Sequence, residues 1–304
     1  MKRVLSVLLF AVTLSFSGSS QSSVHDGMLV TTTWLAVHLK DKDLVVLCIA
    51  DDRDFYAKSH IPGARLILTE EIAVTRNGVP NELPDADKLK AVFGRAGVSD
   101  NSHIILYGER SGLLAARAYF TLDFVGLDTH TALLNGGLEK WNAENRELTA
   151  DIPKPQKGNM TIHTQDRLLV GTDAIFNLVT GARSHDTVIL DARPHSEYTG
   201  EQISEDVSKA GHIPGAAGVY WKDLLVSAEN PVLKPVEELR AIYMKAGAHP
   251  SAPVITYCRT GMQSSFDYFV AKYLGYDVSM YDASFFAWSR EDRPVEKTPG
   301  VISK

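Results

Sequence analysis

Two similar α/β domains, each a mainly parallel sheet with helices on both faces, are predicted by three observations. Short apolar runs of strand-forming residues alternate along the chain with longer segments of helical period. One alternation occurs twice: SHIPGARLI at Ser59 to Ile67 returns as GHIPGAAGV at Gly211 to Val219, and Trp141 and Trp288 close the two copies. The apolar strand runs read as buried on both sides, as in parallel sheets covered by helices.

From the amino terminus, Lys2 and Arg3 precede an apolar stretch from Val4 to about Phe16 and then the small polar residues SGSSQSS. This pattern predicts a secretory signal peptide over residues 1–23, because the apolar stretch is shorter than the roughly 20 residues a bilayer requires. The mature protein is expected to be exported, periplasmic or secreted, and free of the membrane. The first half, residues 24–150, carries the strand run VVLCIADDRDFY, the first HIPGA turn, the strand HIILYG and an apolar helix from GLLAARAYF. Pro153, Pro155 and Gly158 then interrupt any regular pattern within Thr149 to Asn159 and mark the boundary. The second half, residues 151–304, repeats the order with VILDARPHSEYTG, the second HIPGA turn, PVITYCRTGMQ and a helix containing Phe266, Phe269, Val270 and Tyr273.

The chemistry concentrates in VITYCRTGMQSS, Val254 to Ser265. Cys258 is expected at the carboxyl end of a buried strand, where the loop turns into a helix. Free amide hydrogens and the helix dipole converge there, and Arg259 adds a cation, so a thiol at this spot loses its proton more easily than a free one. The first half supplies an internal control, since Gly108 stands opposite Cys258 and Glu109 opposite Arg259. That half is therefore expected to be catalytically silent. His60 and His212 occupy the same place in both turns, including the half without the cysteine, and read as structural rather than catalytic. Cys48 aligns with Asp191 on an inner strand with no adjacent cation and reads as inert. Two cysteines in opposite halves argue against a disulfide-stapled scaffold.

The chain resembles the tandem-domain rhodanese family of sulfurtransferases. The resemblance rests on HIPGA in both halves, DARPHSEYTG at Asp191 to Gly200, CRTGMQ at Cys258 to Gln263 and YDASFFAW near the carboxyl terminus, and it covers nearly the whole mature length. It implies an active second domain whose loop cysteine takes the outer sulfur of a donor, holds it as a persulfide and passes it to cyanide or a thiol. Cys258 is the candidate nucleophile. Arg259, Arg193 and Thr260 are the candidate donor-binding residues, with an ordinary ion pair of Arg193 to Glu197 or Asp191 as the alternative. Gly261, Met262, Gln263 and Ser264 complete the loop whose amides would steady the persulfide; Thr260 and Ser264 could instead cap the helix. Asp191 and Asp282 read as scaffold.

A loop with two cations, CRKGVT, resembles the thiosulfate type and a neutral CGSGVT the 3-mercaptopyruvate type; Arg259 followed by Thr260 places this chain nearer the first. Ala283 stands where the family usually has glycine. A phosphatase-like Cys-x5-Arg loop is excluded because Ser264 occupies the sixth position after Cys258. A non-catalytic sulfur-carrier or partner-docking module is the rival of another class. The chain carries 31 Lys+Arg against 37 Asp+Glu, and losing Lys2 and Arg3 with the leader takes the net charge from −6 to −8. Nucleic-acid binding is therefore not expected. No ligand-spaced His/Cys cluster, GxGxxG, P-loop or GxSxG elbow occurs, so no cofactor or metal is expected. The expected partners are a small anionic sulfur donor and a thiol or cyanide acceptor, a thioredoxin-like protein being one candidate, with the chain itself a monomer.

Overall fold

A computed structural model describes residues 24–181 and 186–298, and the leader expected over residues 1–23 lies outside them. The first half runs β1 (Leu29–Val30), α1 (Thr32–His38), β2 (Leu44–Ala50), α2 (Arg53–Lys58), β3 (Arg65–Leu68), α3 (Thr69–Ile72), β4 (Val74–Arg76), β5 (Val79–Glu82), α4 (Ala86–Arg95), β6 (His103–Gly108), α5 (Leu113–Phe124), β7 (Thr131–Leu134) and α6 (Gly137–Ala143). The second runs α7 (Thr172–Thr180), β8 (Val188–Asp191), α8 (His195–Thr199), β9 (Ala217–Gly218), α9 (Val236–Lys245), β10 (Val254–Tyr257), α10 (Met262–Tyr273), β11 (Val278–Met280) and α11 (Ser284–Arg290). Residues 151–165 between them contain no helix or strand.

Both main sheets are parallel, in the orders β1-β7-β6-β2-β3 and β11-β10-β8-β9. The inner strands β2, β6, β7, β8 and β10 are buried on both faces, as the long apolar runs require. On β2, Val45, Leu47 and Ile49 enter one apolar cluster while Val46 and Cys48 enter another on the opposite face. Helices therefore cover each sheet on both sides. The first of these clusters is shared by the two halves, with Leu114 and Phe120 of α5 and Phe266 and Phe269 of α10 among its members.

α5 and α10 form the seam between the halves. All twelve residues of α5 are buried, because its own sheet lies on one side and α10 on the other. Edge-on ring contacts join Tyr119 to Phe269 and Phe120 to Tyr268, each with centroids 4.9 Å apart. Tyr268 donates to Asp123 at 2.6 Å, and Lys272 joins Asp123 and Asp128 in an ion-pair group. The antiparallel hairpin β4–β5 corresponds in the second half to an antiparallel bridge between Leu225 and Leu233, and its Asn81 and the following Leu83 reach across this seam. Among the described residues, no helix is long and apolar enough to cross a membrane.

The repeated histidines lock the turn after α2 and α8. His60 stacks on Tyr56 with centroids 3.8 Å apart and sets Nδ1 against the Tyr56 carbonyl at 2.9 Å; His212 stacks on Tyr198 at 4.0 Å and meets its carbonyl at 2.8 Å. Both rings thus serve the same local packing, in the half with the loop cysteine and in the half without it.

Candidate active site

β10 is a central strand, flanked by β8 and β11, and its four residues are buried. The chain leaves it at Cys258 and turns at Gly261, whose φ of +83° favours glycine. A Cβ at Gly261 would stand 2.4 Å from Asp282 Oδ1 and 2.8 Å from the Asp282 carbonyl, so the space forbids a side chain as firmly as the dihedral does. α10 then starts at Met262 with Gly261 as its N-cap and no side-chain cap bond, so neither Thr260 nor Ser264 caps the helix.

The loop hangs from α11. The Cys258 and Arg259 carbonyls accept from the Phe285 and Phe286 amides, both at 2.9 Å. Ser284 accepts from the Cys258 amide at 3.2 Å and the Gly261 amide at 3.1 Å, while donating to the Tyr281 carbonyl at 2.8 Å. Its φ of +55° is costly for a residue with a Cβ, by about 1 kcal/mol, and the three bonds hold it there. Ser284 lies inside the YDASF motif, but nothing in that motif announces a hydroxyl aimed back at the cysteine loop. The amides of Met262, Gln263 and Ser264, in the first turn of α10, have no carbonyl one turn earlier inside the helix. They are the donors this fold leaves for an anion beside Cys258.

The residues expected here are brought together, with one exception. Cys258 is 1 % exposed, within the apolar cluster that includes Val219, Trp221, Met262 and Phe266. Arg259 is partly exposed at the rim and meets Glu197 at 3.4 Å and Asp206 at 3.6 Å, while its Nε is buried without a partner. The Thr260 hydroxyl accepts from Asn81 Nδ2 at 2.9 Å, a contact from β5 of the β4–β5 hairpin. Gln263 Oε1 and Ser264 Oγ are buried with no partner, and the Ser264 carbonyl accepts from Thr256.

Arg193 is the exception. Expected as a second donor-binding cation, it is instead 1 % exposed and spent on Asp191, with Nε at 2.9 and 3.1 Å and Nη2 at 2.5 Å from that carboxylate. Nη2 also donates to the Gly211 carbonyl at 2.8 Å, and the guanidinium lies 4.0 Å over the Phe285 ring. Burial draws its pKa down, but Asp191 more than reverses that and the net displacement is upward. Tyr257 completes the group by donating to Asp191 at 2.6 Å. Of its two proposed ion-pair partners, Asp191 holds Arg193, and Glu197 goes to Arg259.

Residues of the first half reach the loop from across the seam. Arg117, fully buried on α5, donates to Asp282 Oδ1 at 2.6 Å and Oδ2 at 3.3 Å, to the Asn81 carbonyl at 2.6 Å and to the Gly261 carbonyl at 3.4 Å. The Leu83 amide donates to Asp282 Oδ2 at 3.0 Å. Asp282 is scaffold, as expected, but scaffold shared between two halves. An arginine inside the otherwise apolar GLLAARAYF was the available sign of Arg117.

The corresponding loop of the first half lacks room as well as chemistry. A Cβ at Gly108 would lie 2.4 Å from the Ile49 carbonyl. Glu109 accepts from the Asp51 amide at 2.7 Å and Arg110 pairs with the Asp51 carboxylate, so both charges of the loop are tied to Asp51. Cys48 is wholly buried, and burial pushes its thiol up to about 12, partly offset by a hydrogen bond with Tyr107.

The Rhodanese-like domain family matches residues 31–144 and 178–291. Over 278 residues the chain is 32 % identical to the sulfur carrier protein TtuD of Thermus thermophilus, covering 87 % of this chain and 94 % of the relative. It is 31 % identical to the thiosulfate sulfurtransferase of Azotobacter vinelandii over 79 % of this chain and 87 % of that one, and 32 % identical to the thiosulfate sulfurtransferase of Pseudomonas aeruginosa over the same shares. Among solved structures, YnjE superposes with a TM-score of 0.79 at 23 % identity, covering 90 % of this chain and 69 % of that chain; wild-type EanB gives 0.77 at 24 %, covering 89 % and 69 %. At that identity the two structures speak for the fold.

Proposed function

The chain belongs to the rhodanese-like sulfurtransferase family, with two such domains in tandem, and from that premise we propose that Cys258 carries sulfur from thiosulfate to cyanide or a thiol as a persulfide. The observation that carries this reading is the place of Cys258, between the end of a buried central strand and the first-turn amides of α10. The Cys258 thiolate attacks the outer sulfur of thiosulfate, a new S–S bond forms, the old one breaks, and sulfite leaves with the bonding electrons. Cyanide or a thiolate then attacks the outer sulfur of the persulfide and releases the original thiolate. Arg259 and the Thr260 hydroxyl stand at the entrance to this loop, and Gly261, Met262, Gln263 and Ser264 frame the sulfur. Sulfurtransferase relatives named for thiosulfate support that donor, with 3-mercaptopyruvate as the alternative. We place the reaction outside the cytoplasm, a reading supported by Lys2, Arg3 and the apolar stretch that follows them.

A second reading, a sulfur carrier docking to one protein, is favoured by the relative of that name. Incubation with thiosulfate is expected to add one sulfur atom at Cys258 and to lose it on adding cyanide, while Cys258→Ser takes up none and forms no thiocyanate. Sulfur mapped to Cys48, or turnover surviving in Cys258→Ser, would sink the assignment. Loading without turnover by either small donor would select the carrier.

A further inference from the structure

The loop's cation is matched twice over. Arg259 is the one basic residue from Cys258 to Ser264, and its guanidinium faces two carboxylates, Glu197 at 3.4 Å from Nη2 and Asp206 at 3.6 Å from Nη1. Glu197 comes from α8, and its side chain is only 10 % exposed. Asp206 lies on the following loop and is 59 % exposed. Several neighbouring cations are spent elsewhere: Arg193 on Asp191, Arg117 on Asp282 and His195 on Asp223. Two more lie nearby, Lys222 at 5.5 Å over the Trp221 ring and Arg290 at 3.7 Å over the Phe286 ring, where Arg290 also donates to the Asp206 carbonyl.

Arg259, Glu197 and Asp206 together sum to one negative charge. Each of these carboxylates repels a dianion about twice as strongly as a monoanion of the same shape. The ion pair with Glu197 is nevertheless loose, and two of its atoms, Arg259 Nε and Glu197 Oε2, are buried with no partner. Arg259 therefore retains an N–H for an oxygen of the donor, while Glu197 remains beside it as a charge the donor has to tolerate.

We propose that Glu197, aided by Asp206, is a specificity-determining residue that tunes sulfur donors by charge, raising KM for the thiosulfate dianion relative to a monoanion of the same shape while both still load Cys258. This rests on the reading of Cys258 as a sulfur acceptor and adds which donors reach it. A pair of probes separates charge from shape: thiosulfate, and methanethiosulfonate, in which a methyl group replaces one charged oxygen. Both deliver the same outer sulfur, the first releasing sulfite and the second methanesulfinate.

The experiment measures thiocyanate formation from each probe by the full chain, Glu197→Gln and Asp206→Asn over a range of ionic strength, with thermal unfolding to verify folding. Glu197→Gln is expected to lower KM for thiosulfate about fivefold and that for methanethiosulfonate less than about twofold. In the unaltered chain kcat/KM for thiosulfate is expected to rise with salt as the repulsion is screened, and this slope is expected to flatten in the variant. Asp206→Asn, at an exposed site, is expected to shift both quantities the same way by a smaller factor and keeps the test open if Glu197→Gln fails to fold. Equal changes for the two probes, or an unchanged salt slope in the folded variants, overturn the charge filter and leave Glu197 a purely structural partner of Arg259. If neither probe places sulfur on Cys258 in the unaltered chain, the underlying reading falls and the filter with it.

Discussion

Two buried charged residues near the cysteine loop behave in opposite ways. Arg193 is fully paired, so removing it strands Asp191 in an apolar setting. Arg193→Met is expected to cost about 3–5 kcal/mol of stability in urea unfolding, whereas a donor-binding arginine would leave stability intact and raise only KM. Asp267, one turn into α10, is wholly buried and neither carboxylate oxygen has a partner. Burial, with Asp191 and Asp223 adding repulsion, holds its carboxyl well above the ordinary 3.8. The folded chain thus keeps a proton that the unfolded chain gives up. Its contribution is fully present below the unfolded value and is lost as pH rises toward the folded one, at about 1.4 kcal/mol per pH unit. Asp267→Asn is expected to be more stable than the unaltered chain near pH 8, with the difference shrinking toward about pH 4 in thermal unfolding followed across pH.

At the scale of elements, the strand–loop–helix turn at Cys258 was legible because its signals are local: strand formers, a glycine at the turn, and helical spacing after it. The HIPGA turns were legible because the same five residues recur in both halves; His60 packs on Tyr56 four residues back and His212 on Tyr198 fourteen back. What holds the loop was not, because those residues are remote in sequence. Asn81 precedes Thr260 by 179 residues and Arg117 precedes Gly261 by 144, and no periodicity links them. The two readings of Arg193 stayed open for the same reason, since strand position alone does not say whether an arginine faces solvent or its neighbour's carboxylate. Arg117→Met is expected to lower stability by about 3–5 kcal/mol through the stranded Asp282 and to slow sulfur transfer roughly tenfold or more through loss of the hold on Gly261. Adding Asp282→Asn should restore much of the stability but little of the turnover, since the contact to Gly261 stays absent. Recovery of both together in unfolding and turnover measurements would mean that Arg117 only balances charge.

Across the whole molecule the two halves are related but not interchangeable. The Leu83 amide bonds Asp282, and the Leu233 amide bonds Asn135 at 3.0 Å in the corresponding place. Arg117 is the fifth residue of α5 and Phe266 the fifth of α10, each lying against the N-cap glycine of the other helix, so the cation crosses the seam in one direction only, toward the loop that carries the cysteine. The first half therefore shapes its neighbour's loop in addition to covering it, and a shared apolar cluster packs the two halves against each other. The burial of both sulfurs, Cys48 at 0 % and Cys258 at 1 % exposure, reaches beyond catalysis to how the protein would register in a routine thiol count. A bulky aromatic disulfide reagent is expected to titrate almost no sulfhydryl in the native protein and both after denaturation, while small reagents such as cyanide still reach the persulfide. Measured that way, a fully competent preparation would look as though it had no cysteine at all.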